Sequence, residues 1–136
     1  LAVGGDFSAF YQKLKGKLSD LGLDFELLSR SLNEDFSGGE KKKMEVLQAM
    51  ILEPKYIIFD EIDTGLDIDS LQLVAKKIKE LSKKSGVLII THYQRLLQYL
   101  IPDKVWIMKA GKIVMSGSSE LAKKIEKNGY EKIGTS

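Results

Sequence analysis

Two adjacent carboxylates, Asp60 and Glu61, close the short apolar run Tyr56-Ile57-Ile58-Phe59. An acid at the end of a buried strand can hold a divalent cation, and a second acid beside it can take a proton from water as a general base. Read alone, the same residues are a strand that runs into a polar loop. Ser37-Gly38-Gly39-Glu40 stands just before a stretch with helical spacing. Two glycines let a backbone approach a ligand closely. A helix N-terminus offers free N–H groups and a partial positive charge, so with the Ser37 hydroxyl this is a corner for phosphate. Read alone, Ser37 caps the helix and the glycines turn the chain. Asp63-Thr64-Gly65-Leu66-Asp67 fits either an acidic functional loop or plain turn chemistry. His92, the only histidine, ends a second apolar run with Thr91. A lone histidine is an ordinary residue unless its neighbours give it work.

These groups need elements to position them. The spacing of Phe7, Phe10, Tyr11, Leu14, Leu18 and Leu21 predicts a helix over 6–22 with Asp6 as its cap. A second, short helix is expected over 24–31 and a loop over 33–39. Met44, Val46, Leu47, Met50 and Ile51 predict a helix over 40–52, which Pro54 ends. Residues 56–60 and 87–91 read as strands buried on both faces. An amphipathic helix is expected over 70–82 and a short one over 93–100. Two strands, 104–108 and 112–115, would be joined by a tight turn through Gly111. A last helix, capped by Ser118 or Ser119, would run to Lys127. The Lys41-Lys42-Lys43 run reads as a solvated helix face.

Alternating strands and helices make this an α/β domain. Its 136 residues suffice for one domain, and 43% apolar with 29% charged residues excludes a disordered chain. A net charge of +2 gives no sign of a nucleic-acid binder. The absence of cysteine removes disulfides and thiolate chemistry. No apolar run approaches the roughly 20 residues of a membrane span, so no direct membrane insertion is expected. The chain opens Leu1-Ala2-Val3 without an initiator Met and without a secretory signal pattern, and the motifs favour a fragment.

Each motif is weak alone, but their order is specific. SGGE, a helix, an apolar strand ending in Asp-Glu, an acidic loop, a helix and a strand ending in His resemble the second half of an ATP-binding-cassette (ABC) ATPase. The stretch 33–42, Asp60-Glu61-Ile62-Asp63-Thr64-Gly65-Leu66-Asp67-Ile68-Asp69, Thr91-His92-Tyr93-Gln94-Arg95-Leu96-Leu97, Pro102-Asp103 and Asn128-Gly129-Tyr130 resemble, within that family, the ATPases of the SUF iron–sulfur assembly system. Lys43 departs from that pattern, where Arg is more usual.

The resemblance implies a partial P-loop NTPase domain. Residues 1–52 would form a helical subdomain with the signature motif, and residues 53–136 the Walker B and His-loop half of a RecA-like core. Two cassettes would pair head to tail around two ATP. Ser37, Gly38, Gly39 and Glu40 would belong to the corner that meets the partner's γ-phosphate. Asp60 would hold Mg²⁺ through water, Glu61 would be the catalytic base, Asp67 would bridge the dimer, and His92 would touch the γ-phosphate. The expected partners are a second ATPase subunit and a SufB/SufD-type scaffold, with cytoplasmic localisation. Two other readings stay open: a transporter cassette, and a regulatory module that docks without hydrolysing.

The sequence contains no G-x-x-x-x-G-K-S/T. Gly16-Lys17 is followed by Leu18, and Gly111-Lys112 by Ile113. The chain alone is therefore expected to bind ATP weakly and not to turn it over. The P-loop strand would lie beside residues 87–91, so marginal stability is expected as well.

Overall fold

The computed structural model describes residues 6–29, 36–93 and 95–128. They form two compact units that divide between His92 and Tyr93.

The first unit holds helices α1 (Phe7–Asp20) and α2 (Gly38–Leu52), strand β1 (Tyr56–Asp60), helix α3 (Ile68–Leu81) and strand β2 (Gly86–Ile90), with a 3₁₀ turn at Phe25–Ser29. Asp6 caps α1, its side chain accepting from the Ser8 N–H. Of the apolar positions that predict α1, Leu18 and Leu21 are buried, whereas Phe7, Phe10 and Tyr11 are exposed. α2 begins two residues before the predicted start, because helix-initial N–H groups need no partner inside the helix and the two glycines lose no ladder bond there. It ends where Glu53 turns left-handed (φ 45°) and donates to the Ala49 carbonyl. α1 and α3 both pack on α2, and Leu47, Val46, Leu71, Val74 and Ile78 are fully buried.

β1 and β2 pair in parallel, Tyr56 opposite Gly86 through Asp60 opposite Ile90, with α3 as the crossover. The expectation of strands buried on both faces does not hold. Ile57 and Phe59 are 7% and 3% exposed, but Tyr56 and Ile58 on the other face are 78% and 67% exposed. Leu88 and Ile90 of β2 are exposed too. An apolar run states what a strand can bury, not what covers it. Among the described residues these two strands are the whole sheet. Gly86 is required by close approach: a Cβ there would stand 2.9 Å from Tyr56 Cδ1.

The second unit holds a 3₁₀ turn at Arg95–Gln98, the antiparallel hairpin β3 (Val105–Lys109) and β4 (Lys112–Gly117), and helix α4 (Ser119–Asn128). Ala110 and Gly111 both take positive φ, 49° and 75°, which suits the twist of a two-residue hairpin loop. The pairing shifts by one residue after Ile107. α4 lies on the hairpin, burying Ala122 and Ile125. No helix among the described residues is long and apolar enough to cross a membrane. Asn33, Glu34, Asp35, Gln94, Gly129 and Tyr130, which carry part of the sequence resemblance, lie outside the described residues.

Candidate functional site

The candidate chemistry gathers at the C-terminal ends of β1 and β2. β1 ends at Asp60, and Glu61 then takes a left-handed conformation (φ 51°), uncommon for a residue with a side chain. Its N–H still donates to the Ile90 carbonyl at 2.8 Å. That bond holds Glu61 to β2 just where His92 follows. As a result His92 Nδ1 lies 3.1 Å from Glu61 Oε1, with both side chains about half exposed. At that distance Nδ1 can donate a hydrogen bond to the carboxylate in the tautomer that carries its hydrogen there.

Behind this pair sits a second one. Asp63 is fully buried, and Thr91 Oγ1 lies 2.9 and 2.8 Å from its two carboxylate oxygens, sharing one hydrogen between them. A buried carboxylate is costly unless hydrogen-bonded, so this contact fixes the acidic loop to the end of β2. Turn chemistry alone does not describe Asp63. The pairing spans 28 residues, and no local pattern in the sequence announces it.

The N-terminus of α2 has reciprocal capping. Ser37 Oγ accepts from the Glu40 N–H at 3.2 Å, and Glu40 Oε2 accepts from the Ser37 N–H at 2.7 Å. A Cβ at Gly38 would meet nothing within 4 Å, while one at Gly39 would stand 3.7 Å from Leu66 Cδ2 and 3.8 Å from the Gly65 carbonyl. The glycine-led helix start thus adjoins the acidic loop, with an open approach at Gly38. Asp67 caps α3, its Oδ1 accepting from the Ser70 N–H at 2.7 Å. The Ser70 backbone bond first, then a side-chain bond to Ser70 and the charge of Lys43, hold the Asp67 carboxyl below the usual Asp range.

The lysine run is not simply solvated. Lys42 Nζ donates to the Asp60 carbonyl at 3.3 Å and pairs with Glu45 at 3.2 Å, which ties α2 to the end of β1. Lys43 acts on Asp67. Of the three, Lys41 is exposed, and Lys42 and Lys43 are half-buried.

Mg²⁺ takes hard oxygen ligands and keeps several waters, needing only one or two carboxylates beside substrate phosphates. Asp60 and Glu61, both exposed, fit that donor chemistry. Among the described residues no cluster of three or more His, Cys, Asp or Glu could hold a metal on its own.

No protein-family model matches the chain. Curated proteins do. A probable ABC transporter ATP-binding protein of Streptococcus pyogenes serotype M3 is 53% identical over 122 residues, which are 89% of this chain and 48% of that protein. Vegetative protein 296 of Bacillus subtilis is 51% identical over 123 residues, 90% of this chain and 47% of its own length. A probable ATP-dependent transporter, ycf16, of Cyanophora paradoxa is 48% identical over 90% of this chain and 48% of its own length. The chain therefore spans about half the length of the curated relatives it matches. Among solved structures, an ATP-binding cassette of an ABC transporter in its ADP conformation superposes with a TM-score of 0.65 at 24% identity, over 91% of this chain and 48% of that one. The ATP-binding subunit of another ABC transporter gives 0.65 at 26% identity, over 90% and 51%.

The fold is that of about half an ABC ATPase cassette. Against that cassette, the partial P-loop NTPase architecture expected from the sequence is the one observed. Sequence and fold point to the same ABC ATPase type.

Proposed function

We propose that the chain supplies the signature, Walker B and His-loop parts of an ABC-type ATP-binding subunit. The contact that carries this reading is Glu61 to His92 at 3.1 Å across the ends of two parallel strands. In the full cassette Glu61 is the base that orients the lytic water and takes its proton as the water oxygen attacks the γ-phosphorus, while the bond from that phosphorus to the β–γ bridging oxygen breaks and ADP leaves with its electron pair. His92, held by Glu61 through Nδ1, turns Nε2 toward the γ-phosphate. Phosphoryl transfer asks mainly for positioning and charge stabilisation, and these two groups supply the positioning. Asp60 would hold Mg²⁺ through water, and the cation would offset phosphate charge. Ser37, Gly38 and Gly39 face the ATP of a second cassette. Glu40 acts there through its bond to the Ser37 N–H, and Asp67 stands at the junction of the two subunits. Residues 1–52 act as the helical, signature-bearing part and residues 53–136 as the core part.

Two settings compete for that subunit. The relatives' names, an ABC transporter ATP-binding protein and an ATP-dependent transporter, fit a transporter cassette better. The Thr91-His92-Tyr93-Gln94-Arg95 run and the Phe36-Ser37 junction favour the SUF iron–sulfur assembly ATPase, working on a SufB/SufD-type scaffold in the cytoplasm. Retention of the chain by a purified soluble scaffold and not by permease-bearing membranes supports the SUF setting; the reverse supports transport.

The chain alone, without the phosphate cradle of a P-loop, should show no Mg-ATP hydrolysis above a Glu61→Gln control. Turnover clearly above that control would overturn the assignment of the missing cradle to residues outside these 136.

A further inference from the structure

The opposite end of the sheet carries a different chemistry. A groove of about 370 Å³ opens beside the start of β1, between the C-terminal ends of α2 and α3 and the last turn of α1. β1 is five residues long, which separates this groove from Glu61 and His92 by about 16 Å along the strand.

Four lysines line it: Lys17, Lys55, Lys77 and Lys84. Lys77 is matched internally. It is buried, with Asp20 at 3.0 Å and Glu80 at 3.2 Å. Burial alone would lower its pKa, but the hydrogen bonds to Asp20 and Glu80 with their charges outweigh that and raise it. Glu53, the remaining acid of the rim, is paired with Lys13 at 3.0 Å. Its carboxyl is held below the usual range by the Lys13 hydrogen bond first, then the charge of Lys13, with Lys84 and Lys17 adding to it. Three lysines, Lys13, Lys17 and Lys84, thus act on one carboxylate. Among the described residues no acid lies within ion-pair distance of Lys17, Lys55 or Lys84. The floor is apolar, formed by Met50 and Leu81.

We propose that this groove docks an acidic segment of a partner polypeptide, with carboxylates against Lys17, Lys55 and Lys84 and an apolar side chain on the floor. A compact phosphate fits the site less well. A peptide can use the apolar lining as well as the lysines, which inorganic phosphate cannot. The surface is distant from the nucleotide chemistry proposed above and does not depend on it.

The test uses the 136-residue chain and a fluorescein-labelled peptide, Glu-Glu-Leu-Glu-Glu-Leu-Glu-Glu, followed by anisotropy at about 0.01 M ionic strength, where charges act over about 30 Å. The triple variant Lys17→Glu, Lys55→Glu, Lys84→Glu should weaken binding at least about ten-fold, and the matching Gln triple should fall between it and the native chain. An equal charge change in the second unit, Lys109→Glu, Lys112→Glu, Lys124→Glu, should weaken binding less than about three-fold. Inorganic phosphate should displace the peptide no better than chloride of matched ionic strength. Circular dichroism checks that each variant is folded, and the neutral Gln triple decides the matter if the Glu triple is not. Equal losses in the two Glu triples, displacement by phosphate, or no binding to the native chain would each overturn the proposal.

Discussion

The two faces of β1 differ in cover, not in composition. Ile57 and Phe59 look into a helix-lined interior, whereas Tyr56 and Ile58, two of their immediate neighbours, face outward at 78% and 67% exposure. All four are apolar, and in a half-solvated sheet the outward positions would ordinarily be polar. The strand is therefore written for cover on both sides, and among the described residues only one side receives it. The chain superposes on cassettes about twice its length.

That contrast can be broken most sharply by truncating one residue on each face. Phe59→Ala should cost about 3–5 kcal/mol in urea or thermal unfolding, as large buried aromatics do. Ile58→Thr should change stability by less than about 0.5 kcal/mol and raise solubility. A loss at Ile58 as large as that at Phe59 would mean that the outward face is covered after all.

A smaller effect tests the same face through the backbone. Gly86→Ala should cost about 1 kcal/mol, because the new Cβ meets the Tyr56 ring. The penalty should vanish in a Tyr56→Ala background, since the ring leans over an open surface; a double-mutant cycle measures this coupling. Unchanged cost in both backgrounds would place the strain in the main chain instead.

Ser37→Ala, at the other end of α2 from the ladder's start, should cost about 1 kcal/mol through loss of the cap. Gly38→Ala should leave stability intact or improve it, because nothing lies within 4 Å. The pair separates what Ser37 does for the helix from what Gly38 leaves open for a ligand. Chemical denaturation of each variant provides the check.

The smallest effects are in pH. Asp67 has a lowered carboxyl pKa, so its contribution is present above the unfolded value of 3.8 and fades as pH falls through the lower folded one. Lys77 is raised, so its contribution is complete below 10.5 and fades as pH climbs through the higher folded value. Melting curves of Asp67→Asn should therefore lose part of the acid limb only, and those of Lys77→Met should change the alkaline limb only. An acid-limb change in Lys77→Met that matches the Asp67 variant would refute the assignment.

Much of this was legible in the residues. β1 is bounded as the run Tyr56 to Asp60 predicts, and Asp6 caps α1 as expected. α3 starts two residues early because Asp67, an N-cap by its own side chain, takes that position ahead of the predicted Ser70. Glu61 and His92 are close because two strand ends are neighbours, a pairing that the motif order does not state. Other features had no local signal. Asp63 meets Thr91 across the β1–β2 ladder, and single-sequence spacing carries no register for parallel strands joined by a helix. Lys42 reaches Asp60 because a long stem can turn a surface charge inward along apolar ground. The exposed face of β1 escaped because periodicity records burial potential only.

The central claim is that Glu61 and His92 perform hydrolysis once the rest of a cassette is present. The direct measurement joins this chain to the portion of the Streptococcus pyogenes relative that it does not cover, and compares Mg-ATP turnover of that chimera with its Glu61→Gln and His92→Ala variants. The account predicts hydrolysis by the chimera, a fall of at least about a hundred-fold in Glu61→Gln with ATP binding retained, and a comparable fall in His92→Ala. Turnover in Glu61→Gln equal to that of the unaltered chimera would contradict it.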